Sequence, residues 1–128
     1  MPTIDLESAT FEQVVTENEI VLVDFWASWC GPCRQFAPVY DQASQAHPDI
    51  VFGKVDTEAQ TELAAAAQIT SIPTLMAFKD GKLVFAQPGA LPAPALEQVI
   101  EAVTALDTST LVVPDDEVGE DPQPGSPA

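Results

Sequence analysis

The only two cysteines of the chain, Cys30 and Cys33, are three positions apart and follow a strongly apolar run, residues 20–26. On a helical turn, side chains at this spacing are neighbours, with Cβ atoms roughly 5–6 Å apart. A disulfide requires Cα atoms about 4.4–6.8 Å apart, so a bond between these two cysteines can open and close with little backbone movement. The spacing therefore predicts a redox-active pair.

The two cysteines are expected to play different roles. The apolar run predicts a buried strand and the residues after Cys33 predict a helix, which places Cys30 at the helix N-terminus. Unpaired N–H groups and the helix dipole favour a thiolate there. We therefore expect Cys30 to be the more exposed sulfur and the nucleophile, and Cys33, one turn later, to be the resolving thiol.

A structural disulfide or half of a metal site is the alternative for this pair. A zinc site needs four ligands, and the only other soft donor in the sequence is the single histidine, His47. We expect no metal, and we expect His47 to be a helix-end residue without a role in chemistry.

Asp24 is the one charged residue inside the apolar run. A carboxylate in a buried strand is rare unless it is paired or used. Burial disfavours the charged form and raises the pKa, which suits a proton acceptor that works near neutral pH. The alternative is a side chain that only accepts a backbone N–H bond at the end of the strand.

The charge balance limits the partners and the compartment. Four basic residues stand against twenty acidic ones, a net charge of −16, which argues against binding to nucleic acid or to anionic membranes. The N-terminus does not resemble a signal peptide, and no apolar run approaches the ~18 residues of a membrane span. We therefore expect a cytoplasmic protein, where a lone cysteine pair is more often catalytic than structural.

Apolar patterning predicts a chain of strands and helices in the order β-α-β-α-β-α-β-β-α, a mixed sheet with helices on both faces. Residues 20–26 and 50–55 predict buried strands joined by a right-handed parallel crossover. Capping-box patterns predict helices that begin at Thr10 and at Thr57, the second one extending to about residue 68. Asp80-Gly81 predicts a hairpin between residues 74–79 and 82–87, and a last helix with an apolar face follows.

The composition changes after residue 107. Residues 108–128 contain five acids, four prolines and no base or aromatic residue, so they cannot bury enough apolar surface to fold alone. We expect one domain over residues 1–107 and a disordered, flexible C-terminal tail over residues 108–128. The alternative is that residues 111–114, Leu-Val-Val-Pro, dock on the domain or on a partner.

Three motifs together resemble the thioredoxin family. Residues 29–33 are Trp-Cys-Gly-Pro-Cys, residues 23–27 are Val-Asp-Phe-Trp-Ala, and residues 72–74 are Ile-Pro-Thr. The resemblance covers residues 3–107, and it implies the strand order of the α/β thioredoxin fold, which periodicity alone does not give.

The resemblance also implies roles for residues around the cysteines. Asp24 would lie under the disulfide and help to deprotonate Cys33, with Lys54 as its neighbour, although Lys54 could also be an ordinary strand lysine. Pro73 would be cis and face the disulfide, whereas without the resemblance it would be a proline that starts a strand. The backbone of Ile72 would pair with an extended substrate peptide.

Further residues belong to the implied substrate surface. Trp29 would form part of a flat apolar patch, and Gly89 would lie on the same surface unless it is simply a turn glycine. Gly31 and Pro32 fill the loop between the cysteines, and Pro32 is tolerated in a first helical turn. Gly-Pro at these two positions resembles the reducing members of the fold, while Pro88 before Gly89 departs from the usual family pattern.

The implied activity is reduction of protein disulfides by a Cys30/Cys33 dithiol, with no bound cofactor. In this family electrons come from NADPH through the flavoprotein thioredoxin reductase, and we expect a monomer whose partners are that reductase and disulfide-containing client proteins. The alternatives are a disulfide oxidase or isomerase, and a redox-inert module that uses the patch around Trp29 only to hold a partner.

Overall fold

The computed structural model describes residues 3–110 of the chain. Its strands and helices follow the predicted order. They are β1 (Thr3–Asp5), α1 (Phe11–Glu17), β2 (Ile20–Trp26), α2 (Gly31–Ala46), β3 (Val51–Asp56), α3 (Thr61–Ala66), β4 (Thr74–Lys79), β5 (Lys82–Pro88), α4 (Ala93–Ala105) and a C-terminal 3-10 helix (Thr108–Thr110).

The strands form one mixed sheet in the order β1-β3-β2-β4-β5. β3 pairs in parallel with both β1 and β2, whereas β4 runs antiparallel to β2 and β5. β2 lies at the centre because nearly all its side chains are apolar and can be covered on both faces. Val21, Leu22 and Val23 are fully buried, which confirms the predicted central strand.

Two apolar cores cover the two faces of the sheet. Leu22, Phe52 and Leu75 pack against α2 and α4 on one face, and Val23 and Phe25 pack against α1 and α3 on the other. The alternation of side chains along β2 separates these sets, since successive residues of a strand point to opposite faces. The predicted α/β architecture with helices on both faces is confirmed.

The first capping-box prediction places its helix correctly, since Thr10 is the N-cap residue of α1. Its side chain makes no capping bond and instead accepts a bond from the N–H of Glu7, at 3.3 Å. The second capping-box prediction is wrong. The helix predicted to begin at Thr57 begins at Thr61 and ends at Ala66. Asp56, at the end of β3, accepts a 2.9 Å bond from the N–H of Glu58, and this interaction holds residues 57–59 in a turn.

The Asp80-Gly81 hairpin is confirmed. Asp80 and Gly81 have φ values of 53° and 79°, the pair of positive angles that the tight hairpin turn requires. β4 and β5 are antiparallel around this turn, with an irregularity in register at Ala77 and Phe78.

The hairpin also holds the end of α4. Lys79 is buried, and its Nζ donates to the carbonyl oxygens of Val103, Thr104 and Leu106 at 2.9, 2.7 and 2.7 Å. The last carbonyls of a helix lack the usual i+4 N–H partner, and the negative end of the helix dipole favours a cation at this position. The Val103 carbonyl also accepts the N–H of Leu106, at 3.2 Å. One side chain of β4 therefore satisfies the last turn of α4.

Replacing Lys79 with methionine should lower the free energy of unfolding by about 2–3 kcal/mol, because buried carbonyl groups would lose a charged donor. Urea denaturation followed by circular dichroism measures the change. Lys82→Met is the matched control, since Lys82 donates only one bond, at 3.1 Å, to the carbonyl of Thr108. We expect the control to lose less than about 1 kcal/mol, and equal losses in the two variants would contradict the capping role of Lys79.

The segment predicted to be a flexible tail begins with residues that contact the domain. Thr108 is buried, and its hydroxyl donates to the carboxylate of Asp80. Residues 111–128, including the predicted docking segment 111–114, lie outside the described residues, and the domain boundary at residue 107 stays a prediction. Within residues 3–110, no helix is long and apolar enough to cross a membrane.

Candidate active site

Cys30 and Cys33 form a disulfide at the start of α2, with their Cα atoms 5.2 Å apart, within the range that the sequence spacing predicts. Cys30 is the N-cap residue, and its Sγ accepts the backbone N–H of Cys33 at 3.2 Å. The exposed fractions of Cys30 and Cys33 are 4% and 3%, so Cys30 is only marginally the more exposed residue. Position on the helix distinguishes the two sulfurs more clearly than exposure does.

The first turn of α2 has an N–H group that faces Cys30. Gly31 and Pro32 occupy its first two positions, and Pro32 lacks an N–H where a helix would leave one unpaired. The N–H of Cys33 is thus the first that points back at the cap residue. This donor and the positive end of the helix dipole would stabilise a thiolate on Cys30.

The peptide bond between Ile72 and Pro73 is cis, and it lies against the disulfide. The carbonyl oxygen of Ile72 is 3.7 Å from the Sγ of Cys30, and Ile72 packs against the buried cluster of Ala27, Cys30 and Cys33. Pro73 is buried, and its carbonyl oxygen accepts the N–H of Gly89 at 2.7 Å. Gly89 has a φ of +104°, which a glycine adopts without strain.

The cysteines, Ile72, Pro73 and Gly89 are therefore brought together, although more than fifty residues separate Cys33 from Gly89 in the sequence. α2 supplies the cysteines, the turn before β4 supplies the cis-proline, and Gly89 directly follows β5. Pro88, the departure from the family pattern, is paired with Thr74 in the sheet.

Trp29, the residue before Cys30, has a large apolar side chain with 63% of its area exposed. Its indole N–H donates to the carboxylate of Glu58. Sequence reasoning missed Glu58 because it assigned residues 57–60 to a helical capping box. The sheet register contains the missing information, since Asp56 pairs with Trp26 and thereby places the turn after β3 beside the loop that carries Trp29.

Asp24 is 1% exposed, and among the described residues neither of its carboxylate oxygens has a hydrogen-bond partner. Burial raises the pKa of this carboxyl from 3.8 to about 7, and the positive charge of Lys54 opposes part of the increase. Lys54 pairs with Asp24 in the sheet register. The alternative prediction, in which Asp24 only accepts a backbone N–H bond, is therefore wrong.

Lys54 and Tyr40 are polar neighbours of this carboxyl. The Nζ of Lys54 is 5.1 Å from the ring centroid of Trp26, and Lys54 lines a cavity of about 90 Å³ together with Cys33. The Tyr40 hydroxyl, which sequence reasoning did not single out, donates to the carbonyl of Gly53 at 2.8 Å. Burial and, secondarily, the charge of Asp24 raise the pKa of Tyr40, so its hydroxyl stays neutral.

The family model described as Thioredoxin matches residues 2–102 of this sequence. The chain belongs to the thioredoxin family. The putative thioredoxin 2 of Streptomyces coelicolor is 61% identical over 105 residues, which cover 82% of this chain and 78% of that protein. Thioredoxin 1 of Synechococcus elongatus is 50% identical over 95 residues, 73% of this chain and 89% of that protein.

Solved thioredoxin structures share the fold. Thioredoxin from Plasmodium falciparum matches with a TM-score of 0.72 and 40% identity, over 77% of this chain and 96% of that one. A mutant thioredoxin from Halobacterium salinarum matches with a TM-score of 0.76 and 31% identity, over 83% and 95% of the two chains. The predicted thioredoxin fold is confirmed.

Membership in the thioredoxin family makes this chain a thiol–disulfide oxidoreductase, which acts on protein disulfides through its redox-active cysteine pair. Thioredoxins need no bound cofactor for this reaction. Within residues 3–110, no group of three or more histidine, cysteine or acidic side chains is arranged to hold a metal ion.

Proposed function

We propose that this thioredoxin works as a reductant of disulfides in other proteins, with Cys30 as the attacking thiol. One observation carries the proposal: the N–H of Cys33 donates to the sulfur of Cys30, with 3.2 Å between the two atoms. Both residues lie at the start of a 16-residue helix. A donor at this position stabilises the thiolate that must attack. The carbonyl of Ile72, 3.7 Å from the same sulfur, supports an approach of the substrate disulfide along this side of Cys30.

The reaction balances over two exchanges. The Cys30 thiolate attacks one sulfur of the substrate disulfide, and the other substrate sulfur leaves as a thiolate that takes up a proton. The Cys33 thiolate then attacks the Cys30 sulfur and displaces the second substrate thiolate. Two electrons have passed to the substrate, and the Cys30–Cys33 disulfide has closed.

Asp24 is proposed to accept the proton of Cys33 during the second exchange. A carboxyl with a pKa of about 7 is a better base near neutral pH than one with an ordinary pKa. Cys33 and Lys54 line a cavity of about 90 Å³ that is large enough to hold water, and Lys54 pairs with Asp24 in the sheet. Lys54 would hold the ionised form of Asp24 by its positive charge.

Replacing Asp24 with asparagine should slow the reduction of a protein disulfide about tenfold or more at pH 8, because the proton acceptor of the second exchange is lost. For the wild type we expect the rate of this exchange to rise through pH 7 as the carboxyl ionises. Single-turnover kinetics from pH 6 to pH 9 would measure both effects. An asparagine variant with the same rates and the same pH profile as the wild type would exclude the base role.

The substrate segment is proposed to lie across Trp29, Gly31, Pro32 and the turn before β4. The carbonyl oxygen of Ile72 lies 3.7 Å from the Sγ of Cys30, so an extended peptide that pairs with the backbone of Ile72 would lie beside the disulfide. Gly89, held against Pro73 by a 2.7 Å bond, would form the opposite rim.

NADPH is proposed as the source of electrons, delivered by thioredoxin reductase to a monomeric protein in the cytoplasm. Insulin reduction tests the proposal: precipitation of the insulin chains is followed with dithiothreitol, or with NADPH and a thioredoxin reductase, as the source of electrons. We expect rapid precipitation in both cases. Failure with either source, or a strongly oxidising potential of the Cys30–Cys33 pair, would favour an oxidase or isomerase instead.

A further inference from the structure

An apolar groove lies between α4 and β5, on the far side of the last helix from its contact with α2. Its volume is about 430 Å³. Its apolar lining includes Val84, Phe85, Leu91, Val99, Val103 and Leu106. β5 is the last strand of the sheet, and no described strand pairs with its outer edge. This volume lies within the range of ligand-binding clefts in proteins, about 300–1,000 Å³.

The last described residues of the chain lie at one end of this groove. Leu106 lines the groove, and two residues later Thr108 is held to the hairpin. The Thr108 hydroxyl donates to Asp80, and the Thr108 carbonyl accepts a 3.1 Å bond from Lys82. Since β5 begins at Lys82, Thr108 lies beside the end of the groove that Leu106 occupies.

The sequence after Thr110 contains a short apolar segment of the kind that binds in an apolar groove. Residues 111–113 are Leu-Val-Val, the only run of consecutive apolar residues in the tail, and Pro114 and an acidic stretch follow them. Three extended residues span about 10 Å. Val99 and Leu106 are two helical turns apart, roughly 11 Å, so the run matches this half of the groove in length.

We propose that residues 111–113 bind in the groove between α4 and β5 of the same chain. A tethered segment is present at a high effective concentration, whereas two copies of a chain with a net charge of −16 repel each other. The contact covers apolar surface on α4 and β5, and it holds the acidic residues after Pro114 close to the domain.

The test compares the oxidised full-length protein with Val112→Asp and with the matched control Val118→Asp, which places the same charge further along the tail. We expect nuclear Overhauser contacts between the methyl groups of Val112 or Val113 and those of Val84 or Val99 in the wild type. Val112→Asp should abolish these contacts and lower the Tm by about 4 °C, the shift expected when one partly buried valine is lost. Val118→Asp should preserve the contacts and shift the Tm by less than about 1 °C.

Two results would overturn the proposal. The first is fast backbone motion through residues 111–114, together with groove methyl shifts that are identical in the wild type and in Val112→Asp. The second is a set of groove methyl shifts that depends on protein concentration, which would make a second copy of the chain the occupant.

Discussion

Replacing Cys30 with serine should reduce the transfer of electrons from the reduced protein to insulin by at least about 10³-fold, because a hydroxyl at neutral pH cannot take the place of a thiolate nucleophile. The variant should still fold. Cys30 is the N-cap of α2 and accepts a bond from the N–H of Cys33, and serine is among the residues that fill this position best. Single-turnover assays with pre-reduced, desalted protein measure the loss without added reductant.

Cys33→Ser is the matched variant, and we expect it to block the second exchange, not the first. Cys30 should attack the substrate normally, but nothing would then displace the product, so a mixed disulfide through Cys30 should accumulate. Non-reducing electrophoresis and peptide mass mapping identify the sulfur involved. Mixed disulfides through Cys33 in the Cys30→Ser protein, with undiminished activity, would contradict the assigned roles.

Replacing Asp24 with asparagine should stabilise the oxidised protein by about 4 kcal/mol at pH 8.5 and leave its stability nearly unchanged at pH 3.5. The folded pKa of about 7 lies above the ordinary value of 3.8, so between these two values the native state binds more protons than the unfolded state. The contribution of Asp24 to the free energy of unfolding of the wild type is therefore most favourable below pH 3.8, and it is lost as the pH rises through 7. Asparagine, which stays neutral, removes that loss.

Urea unfolding of the wild type and the variant across this pH range measures the difference, and comparison at equal pH cancels the effect of the other acids. Asp49→Asn is the control, since Asp49 lies exposed in the turn after α2. It should change the free energy of unfolding by less than about 0.5 kcal/mol at every pH. If Asp24→Asn behaves like this control at pH 8.5, the buried carboxyl is not destabilising and the raised pKa is wrong.

The stability and activity predictions for Asp24 have one physical origin. A carboxylate that is buried without a hydrogen-bond partner in the described part of the chain costs free energy in its charged form. The same cost brings its pKa into the range where it can exchange a proton with Cys33. We therefore expect Asp24→Asn to be more stable and less active than the wild type.

Local patterns determined several features from the sequence alone. The unbroken apolar run of β2 predicted a strand covered on both faces, because only such a strand has no solvent-exposed side. Asp80-Gly81 predicted the hairpin because its turn needs positive φ angles, and Cys30 and Cys33 predicted a disulfide because their spacing matches one helical turn. The order of the strands could not be predicted from local patterns, and it came instead from the thioredoxin resemblance.

The capping-box prediction at Thr57 failed because a competing local bond forms there: Asp56, at the end of β3, accepts the N–H of Glu58 and holds in a turn the residues that the pattern assigned to a helix. At Thr10 the pattern placed the helix correctly, but the hydroxyl accepts the N–H of Glu7 and none from the helix. Because the helix at Thr57 was predicted in the wrong place, the sequence did not reveal Glu58, whose carboxylate accepts the indole N–H of Trp29.

The sequence by itself determined the redox pair, the buried carboxyl and the alternation that assigns side chains to the two faces of the sheet. Only the tertiary structure decided that Ile72 lies at the disulfide and that Gly89 is bonded to Pro73. It also decided that Asp24, paired with Lys54 in the sheet, has no hydrogen-bond partner among the described residues, and that Lys79 holds the end of α4. The first set depends on neighbours within a turn or a strand, which a sequence pattern displays. The second depends on groups distant along the chain, whose burial and distances are set by the packing of helices on the sheet.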